Sequence, residues 1–205
     1  MFDRIALKLT KPIVDTTARH IVRQGISADQ VTLACFVFGM TSALLIMLSH
    51  FELALFPLLL GRMCDGLDGA VARLTVQSDR GAFMDIALDF LFYASIPLAF
   101  AISQPEPNAL PGAVLLAAFV GTSTSFLAYA TLAEKRGEKS TAYPSKSFYY
   151  LGGLTEGTET IAMFILMCLF SQHFPLLAYI YAALCTLTTA TRILAGWQNF
   201  AAPKK

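Results

Sequence analysis

Six long apolar stretches, at residues 31–50, 52–73, 82–103, 111–133, 148–171 and 175–198, take up most of this 205-residue chain. Each is near or above the roughly 20 helical residues that cross about 30 Å of hydrocarbon. The connections between them are short, and Pro105, Pro107, Pro111 and Pro175 fall at span ends, where a missing N–H costs least. Composition agrees, with 56% hydrophobic and 14% charged residues against about 25% charged in soluble domains. Mean hydropathy is +0.59. These values exclude a disordered chain, a basic nucleic-acid binder and most soluble enzymes. The expected fold is all-α and polytopic: a six-helix transmembrane domain over 25–205, preceded by an amphipathic juxtamembrane helix over 1–24.

Net charge is only +1, so the placement of charge carries the information. With the N-terminus in the cytoplasm, the loops at 74–81 and 134–147 and the C-terminal tail are also inside, and the outside connections hold no Lys or Arg. That is a strong positive-inside asymmetry. In the first segment Phe2, Ile5, Leu9 and Ile13 recur at helical spacing with Arg4, Lys8 and Lys11 between them. This fits a basic helix lying on the inner membrane surface, with a solvent-facing linker as the alternative. Asp3, Asp15 and the lack of an unbroken apolar core argue against a signal peptide. Cys35, Cys64, Cys168 and Cys185 lie in apolar runs without a CxxC pair and read as small buried hydrophobes.

Ionisable residues inside spans are costly and usually functional. The second span carries Arg62, Asp65, Asp68 and Arg73, the third Asp85 and Asp89, the fifth Glu156 and Glu159, and the sixth Arg192. At about 1.5 Å per residue, both Asp pairs and Arg192 come to one level near the inner side. Asp65 and Asp68 are i, i+3 neighbours, Asp85 and Asp89 are i, i+4 neighbours, and their helices are joined by a short loop. The four carboxylates can therefore converge in one cavity open to the cytoplasm. Packed together they repel one another. An all-oxygen set suits hard cations, Mg²⁺ or Mn²⁺ above Ca²⁺, and four carboxylates suit two such ions. The plainer alternative is buried ion pairs, Arg62 with Asp65 and Arg73 with Asp68, which leaves Asp85 and Asp89 unexplained.

The run DGLDGAVARLTVQSDRGAFMDIALD reads Asp65-x2-Asp68-Gly69-x2-Ala72-Arg73, then Gly81-x3-Asp85-x3-Asp89. It resembles the signature of the CDP-alcohol phosphotransferases, membrane enzymes that make phospholipids from CDP-diacylglycerol or CDP-alcohols. The stretch between Arg73 and Gly81 is one residue shorter than is usual there, which touches the loop and neither half-motif. The segment SFYYLGGLTEGTET (147–160) further resembles one branch of that family, typified by an enterobacterial inner-membrane protein. The resemblance implies a bacterial inner-membrane enzyme that moves a phosphatidyl group from CDP-diacylglycerol to an alcohol and releases CMP. It implies Asp65, Asp68, Asp85 and Asp89 as ligands of two divalent cations, with Asp89 also the general base. Gly69, Ala72 and Gly81 would let the nucleotide lie close, and Arg73 would meet the diphosphate. Small residues also serve close helix packing, and Arg73 can instead snorkel to the surface. Where relatives have Pro-Asn-x-x-Thr this chain has Ala28-Asp29-x-x-Thr32. Thr32 is expected near the nucleotide, and Asp29 either there or in a helix cap opened by Ser27.

Arg192 favours an anionic acceptor such as glycerol 3-phosphate, held by bidentate hydrogen bonds. Lys146 and Glu156 are the further candidate acceptor residues. Arg192 can alternatively pair with Glu156 or Glu159, and those glutamates can hydrogen-bond a neutral polyol headgroup, including phosphatidylglycerol. Gly153-x3-Gly157 suits close packing against another helix, and a homodimer is expected. Two rivals share parts of this pattern. A cation-coupled transporter would also carry intramembrane acids, but nearer the midplane and with an internal repeat. A membrane prenyltransferase would space its acids differently.

Overall fold

The computed structural model describes residues 3–137 and 153–201. It is all-helical, with no strand among the described residues. The helices are α1 (Asp3–Arg23), α2 (Ala28–Met47), α3 (Phe51–Leu74), α4 (Asp79–Ser103), α5 (Pro105–Lys135), α6 (Gly157–Leu169) and α7 (Phe174–Asn199), with a single 3₁₀ turn at Ser171–His173 before α7. Four of these, α2, α4, α5 and the stretch Ser171–Asn199 containing α7, are long and apolar enough to cross a membrane. Helix α3 has 24 residues but carries the charged motif, and α6 has only 13. Large apolar side chains such as Phe56, Val37, Leu91 and Val120 point outward from the bundle, as suits hydrocarbon surroundings rather than water.

Two boundaries differ from expectation. Within the stretch expected as a fifth span, the described residues 153–156 are not helical and α6 begins at Gly157, because Glu156 has extended backbone (φ −96°, ψ −177°) and its carboxylate accepts the Gly153 amide at 3.2 Å. The connection expected at 104–111 is already helix from Pro105 onward, leaving Gln104 alone between α4 and α5. Pro105 and Pro107 fall in its first turn, where N–H groups lack an intrahelical acceptor anyway. Asn108 fastens that start: it is fully buried, and its Nδ2 donates to the Phe100 carbonyl of α4 at 3.1 Å.

Helix α2 opens with a capping box, in which Ser27 and Gln30 satisfy each other's backbone amides. Asp29 is not the cap; it forms an ion pair with Arg80 at the start of α4. The antiparallel pair α2–α3 packs closely through glycines. A methyl group at Gly61 would stand 3.2 Å from the Cys35 carbonyl, and one at Gly39 only 2.6 Å from the Phe92 ring of α4. Ser42 Oγ donates to the Ala54 carbonyl across the same pair at 2.9 Å. Helix α1 lies against α2 and α3 through Ala18, Val31, Ala70 and Val71. The main core joins α2–α7, with Phe164 meeting Phe92 edge-on and Phe100 stacked between Phe51 and Phe174.

Because Phe92 is pinned by Phe164 and Tyr93, Gly39→Val is expected to lower thermal stability in detergent by about 1–3 kcal/mol, the usual effect of overpacking. Gly66→Ala, whose methyl group meets nothing nearer than Val14 at 4.0 Å, is expected to leave the melting temperature unchanged or raised. Equal melting temperatures for Gly39→Val and the parent would contradict this packing.

Candidate active site

The acidic cluster is built by one helical hairpin. Helix α3 ends at Leu74 and α4 starts at Asp79, so the connection is brief. Ser78 caps α4, its Oγ accepting the Gly81 amide at 3.1 Å. That fixes the phase of α4 so that Asp85 and Asp89, one turn apart, face α3. Asp65, Asp85 and Asp89 each offer a carboxylate oxygen, and these oxygens lie within 4.8 Å of one another. Asp68 lines the same cleft but is turned toward α2. Its Oδ2 accepts the Thr32 hydroxyl at 2.8 Å and its Oδ1 the Gly69 amide at 2.6 Å.

The ion-pair alternative is half present. Arg62 Nη1 pairs with Asp65 Oδ2 at 2.7 Å, one turn away on α3. Arg73 is exposed and folds back over its own helix, so that a methyl group at Gly69 would lie 3.4 Å from Arg73 Nη1. Asp85 and Asp89 instead join Asp65. Chemically the cluster is an all-oxygen seat for a hard divalent cation. Ala72 is half-buried on α3, one turn beyond the acids. Gly81 is not open as expected: a methyl group there would meet Asp29 Oδ1 at 3.1 Å and Ser78 Oγ at 3.2 Å.

Arg62, Asp85 and Asp89 are shared with a second cavity of about 430 Å³ between α4, α5, α6 and α7. Arg192 and Glu156 both line it and are both buried. Arg192 Nη1 donates to the Thr122 carbonyl of α5 at 3.1 Å, and its guanidinium lies 5.5 Å from the Phe126 ring centre. Gly153 lies against both Arg192 and Glu156. Its amide is held by Glu156, and a methyl group there would meet Arg192 Nη2 at 3.1 Å and Thr188 Cγ2 at 2.6 Å. Gly157 in turn faces Arg62 and Tyr93, each 3.4 Å from where its side chain would begin. Gly153 and Gly157 therefore do pack closely against other helices of the same chain, α7 for Gly153 and α3 and α4 for Gly157. Lys146 lies outside the described residues.

The sequence reading missed Tyr93, whose hydroxyl accepts from Arg62 at 3.4 Å. Its position four residues after Asp89, on the same face of α4, was the available signal. It also missed the cavity's hydroxyl wall of Thr122, Ser123, Thr155 and Thr160, which periodicity does not reveal.

Comparison with known proteins agrees with this arrangement. A family model described as CDP-alcohol phosphatidyltransferase matches residues 26–195. The inner membrane protein YnjF of Escherichia coli K12 is 48% identical over 197 residues, 96% of each chain. The crystal structure of Mycobacterium tuberculosis phosphatidylinositol phosphate synthase (PgsA1) with CDP-DAG bound has the same fold. It superposes with a TM-score of 0.73 over 91% of this chain and 94% of that one, at 18% identity. The carrier and the prenyltransferase are thereby set aside, and the chain belongs to the CDP-alcohol phosphatidyltransferase family, as a membrane transferase of phospholipid synthesis.

Proposed function

We propose that this enzyme transfers the phosphatidyl group of CDP-diacylglycerol to a hydroxyl of a small anionic alcohol, of which glycerol 3-phosphate is the type, and releases CMP. The observation that carries this reading is the carboxylate cluster opening onto a cavity that also contains Arg192. In the bilayer, α2 to α7 form the six-helix domain. Helix α1 lies along the inner surface, and both termini and the site face the cytoplasm. The chain works in the bacterial inner membrane, as a homodimer.

Asp65, Asp68, Asp85 and Asp89 hold two divalent cations, Mg²⁺ or Mn²⁺. When bound, the cations orient the diphosphate and offset the charge that builds on the departing CMP. The chain's own residues do the rest. Thr32 holds Asp68 in place from α2. Gly69, Ala72 and Gly81 allow the nucleotide to lie near the backbone, Asp29 moving aside from Gly81, and Arg73 meets the diphosphate from beside the acids. Asp89 borders both spaces. It takes the proton of the acceptor hydroxyl as that oxygen bonds to the phosphorus bearing the lipid, while the anhydride bond to CMP breaks. Arg192 holds the acceptor's anion, Glu156 accepts from its hydroxyls, and Lys146 attracts it from the inner loop.

A second reading keeps this chemistry with a neutral polyol or phosphatidylglycerol as acceptor. The cavity's hydroxyl wall and buried Glu156 favour it. Purified protein supplied with CDP-diacylglycerol and a panel of alcohols, scored for CMP and for lipid product, separates the two.

Asp68→Asn is expected to abolish CMP release and leave the protein folded in membranes. Undiminished turnover would remove the ligand assignment. Chelation by EDTA is expected to stop turnover, and added Mg²⁺ or Mn²⁺ to restore it; activity that survives exhaustive chelation would contradict the cation seat. Arg192→Ala is expected to raise the acceptor KM about 10-fold or more, as loss of a charged hydrogen bond does, with little change in the KM for CDP-diacylglycerol. An equal rise in both would argue against an acceptor role.

A further inference from the structure

Away from the acids, α5 and α7 are joined by a second polar assembly at their ends. Asn199 Nδ2 donates to the buried Tyr129 hydroxyl at 2.6 Å. The Tyr129 ring rests on Phe200, with centres 4.8 Å apart, and on Gly196, where a methyl group would come within 3.6 Å of Tyr129 Cδ2. Arg136, which follows α5, crosses to the end of α7. Its Nη1 donates to the Asn199 carbonyl at 2.9 Å and its Nη2 to the Phe200 carbonyl at 3.0 Å, with the guanidinium 5.0 Å from the Phe200 ring centre. These carbonyls belong to the group that a helix terminus leaves without intrahelical partners.

This assembly is in phase with the cavity. Tyr129 is seven residues beyond Thr122 on α5, and Asn199 is seven beyond Arg192 on α7. Seven residues are about two turns and return to the same helix face. The Thr122–Arg192 bond and the Tyr129–Asn199 bond are thus two rungs of one seam. They differ in stiffness. Arg192 reaches Thr122 through a long, flexible side chain, which tolerates axial slip of α7. Tyr129 and Asn199 are short-jointed, and a slip of one residue, about 1.5 Å, breaks their bond. Lipid-embedded helices lack a hydrophobic force to hold register, so such polar contacts and close packing decide it.

We propose that Tyr129, Asn199 and Arg136 are positioning residues: their latch sets the register of α7 on α5 and so holds Arg192 at the height where an acceptor meets it. The functional half rests on the acceptor reading given above; the register half does not.

The test is Tyr129→Phe, which keeps the ring and removes the hydroxyl. Asn199→Ala, at an exposed position, is the second variant should the first not fold. With glycerol 3-phosphate as acceptor, either is expected to raise the acceptor KM about threefold to tenfold, the scale of one interhelical hydrogen bond. The kcat and the KM for CDP-diacylglycerol stay within about twofold on the same scale. In an Arg192→Ala background the extra rise disappears. Register is read separately by a disulfide between Gly121→Cys and Thr189→Cys. A Cβ at Gly121 lies 3.7 Å from Thr189 Cβ, inside the roughly 3.5–4.5 Å span of disulfides. Oxidative cross-linking of that pair is expected to slow severalfold when Tyr129→Phe is added.

An unchanged cross-linking rate overturns the latch, as does an equal loss against both substrates. If Arg192→Ala raises the acceptor KM and Tyr129→Phe does not, the latch fails while the acceptor site stands. If Arg192→Ala leaves the acceptor KM unchanged, the acceptor reading fails, and cross-linking still decides the register.

Discussion

Gathering carboxylates inside a bilayer-embedded bundle is the constraint on which the rest depends. Three oxygens from Asp65, Asp85 and Asp89 within 4.8 Å repel one another, and low dielectric strengthens the repulsion. A fold keeps such a cluster only by holding its helices firmly. The means are visible in α2–α4. Gly39 and Gly61 bring the backbones of α2 and α3 together. Phe92 fills the space above Gly39 and is itself wedged by Phe164. Arg62 supplies one opposing charge, and Thr32 fixes the fourth acid from a third helix. None of these contacts is strong alone. Together they leave the acids little freedom to turn outward.

The sequence made the cluster legible because its information is periodic. Two acids at i, i+3 and two at i, i+4 on adjoining apolar helices leave few places for the carboxylates to go, and Asp65, Asp85 and Asp89 do meet. Side-chain choices were less legible. Asp68 shares the spacing of the others yet turns to Thr32, because α2 offers a hydroxyl at that height. Asp29 was open between cap and site; the capping box of Ser27 and Gln30 leaves it to Arg80. Gly153 and Gly157 have the spacing of a close-packing motif, and the helices they meet, α7 for Gly153 and α3 and α4 for Gly157, were not legible from that spacing. The late start of α6 was hidden for a similar reason. Apolar composition runs through residues 148–156, and among the described residues it is the contact from Gly153 to Glu156 that marks where the helix begins.

The bundle divides into two working parts that share a wall. Helices α2, α3 and α4 enclose the acid cleft, and α4 to α7 enclose the larger cavity, with Arg62, Asp85 and Asp89 facing both. Displacement at phosphorus needs the nucleophile and the leaving group on opposite sides of the reacting atom. Two adjoining spaces with a carboxylate between them suit that geometry better than a single pocket. In the proposed reaction the diphosphate meets the acids from one side and the acceptor hydroxyl from the other, with Asp89 facing both spaces.

This division also explains why the α5–α7 seam matters. The hairpin that carries the acids is short and capped, so its geometry is set locally. The cavity's opposite wall comes from α7, which α3 and α4 do not fix in height by any such short connection. A guanidinium on that wall is only as well placed as the register of its helix. Polar contacts two turns away, at the ends of α5 and α7, carry that register without themselves touching a substrate. Under the proposed reading, precision in the reacting cleft and precision in the Arg192 wall thus arise from different residues, and a change in one can leave the other intact.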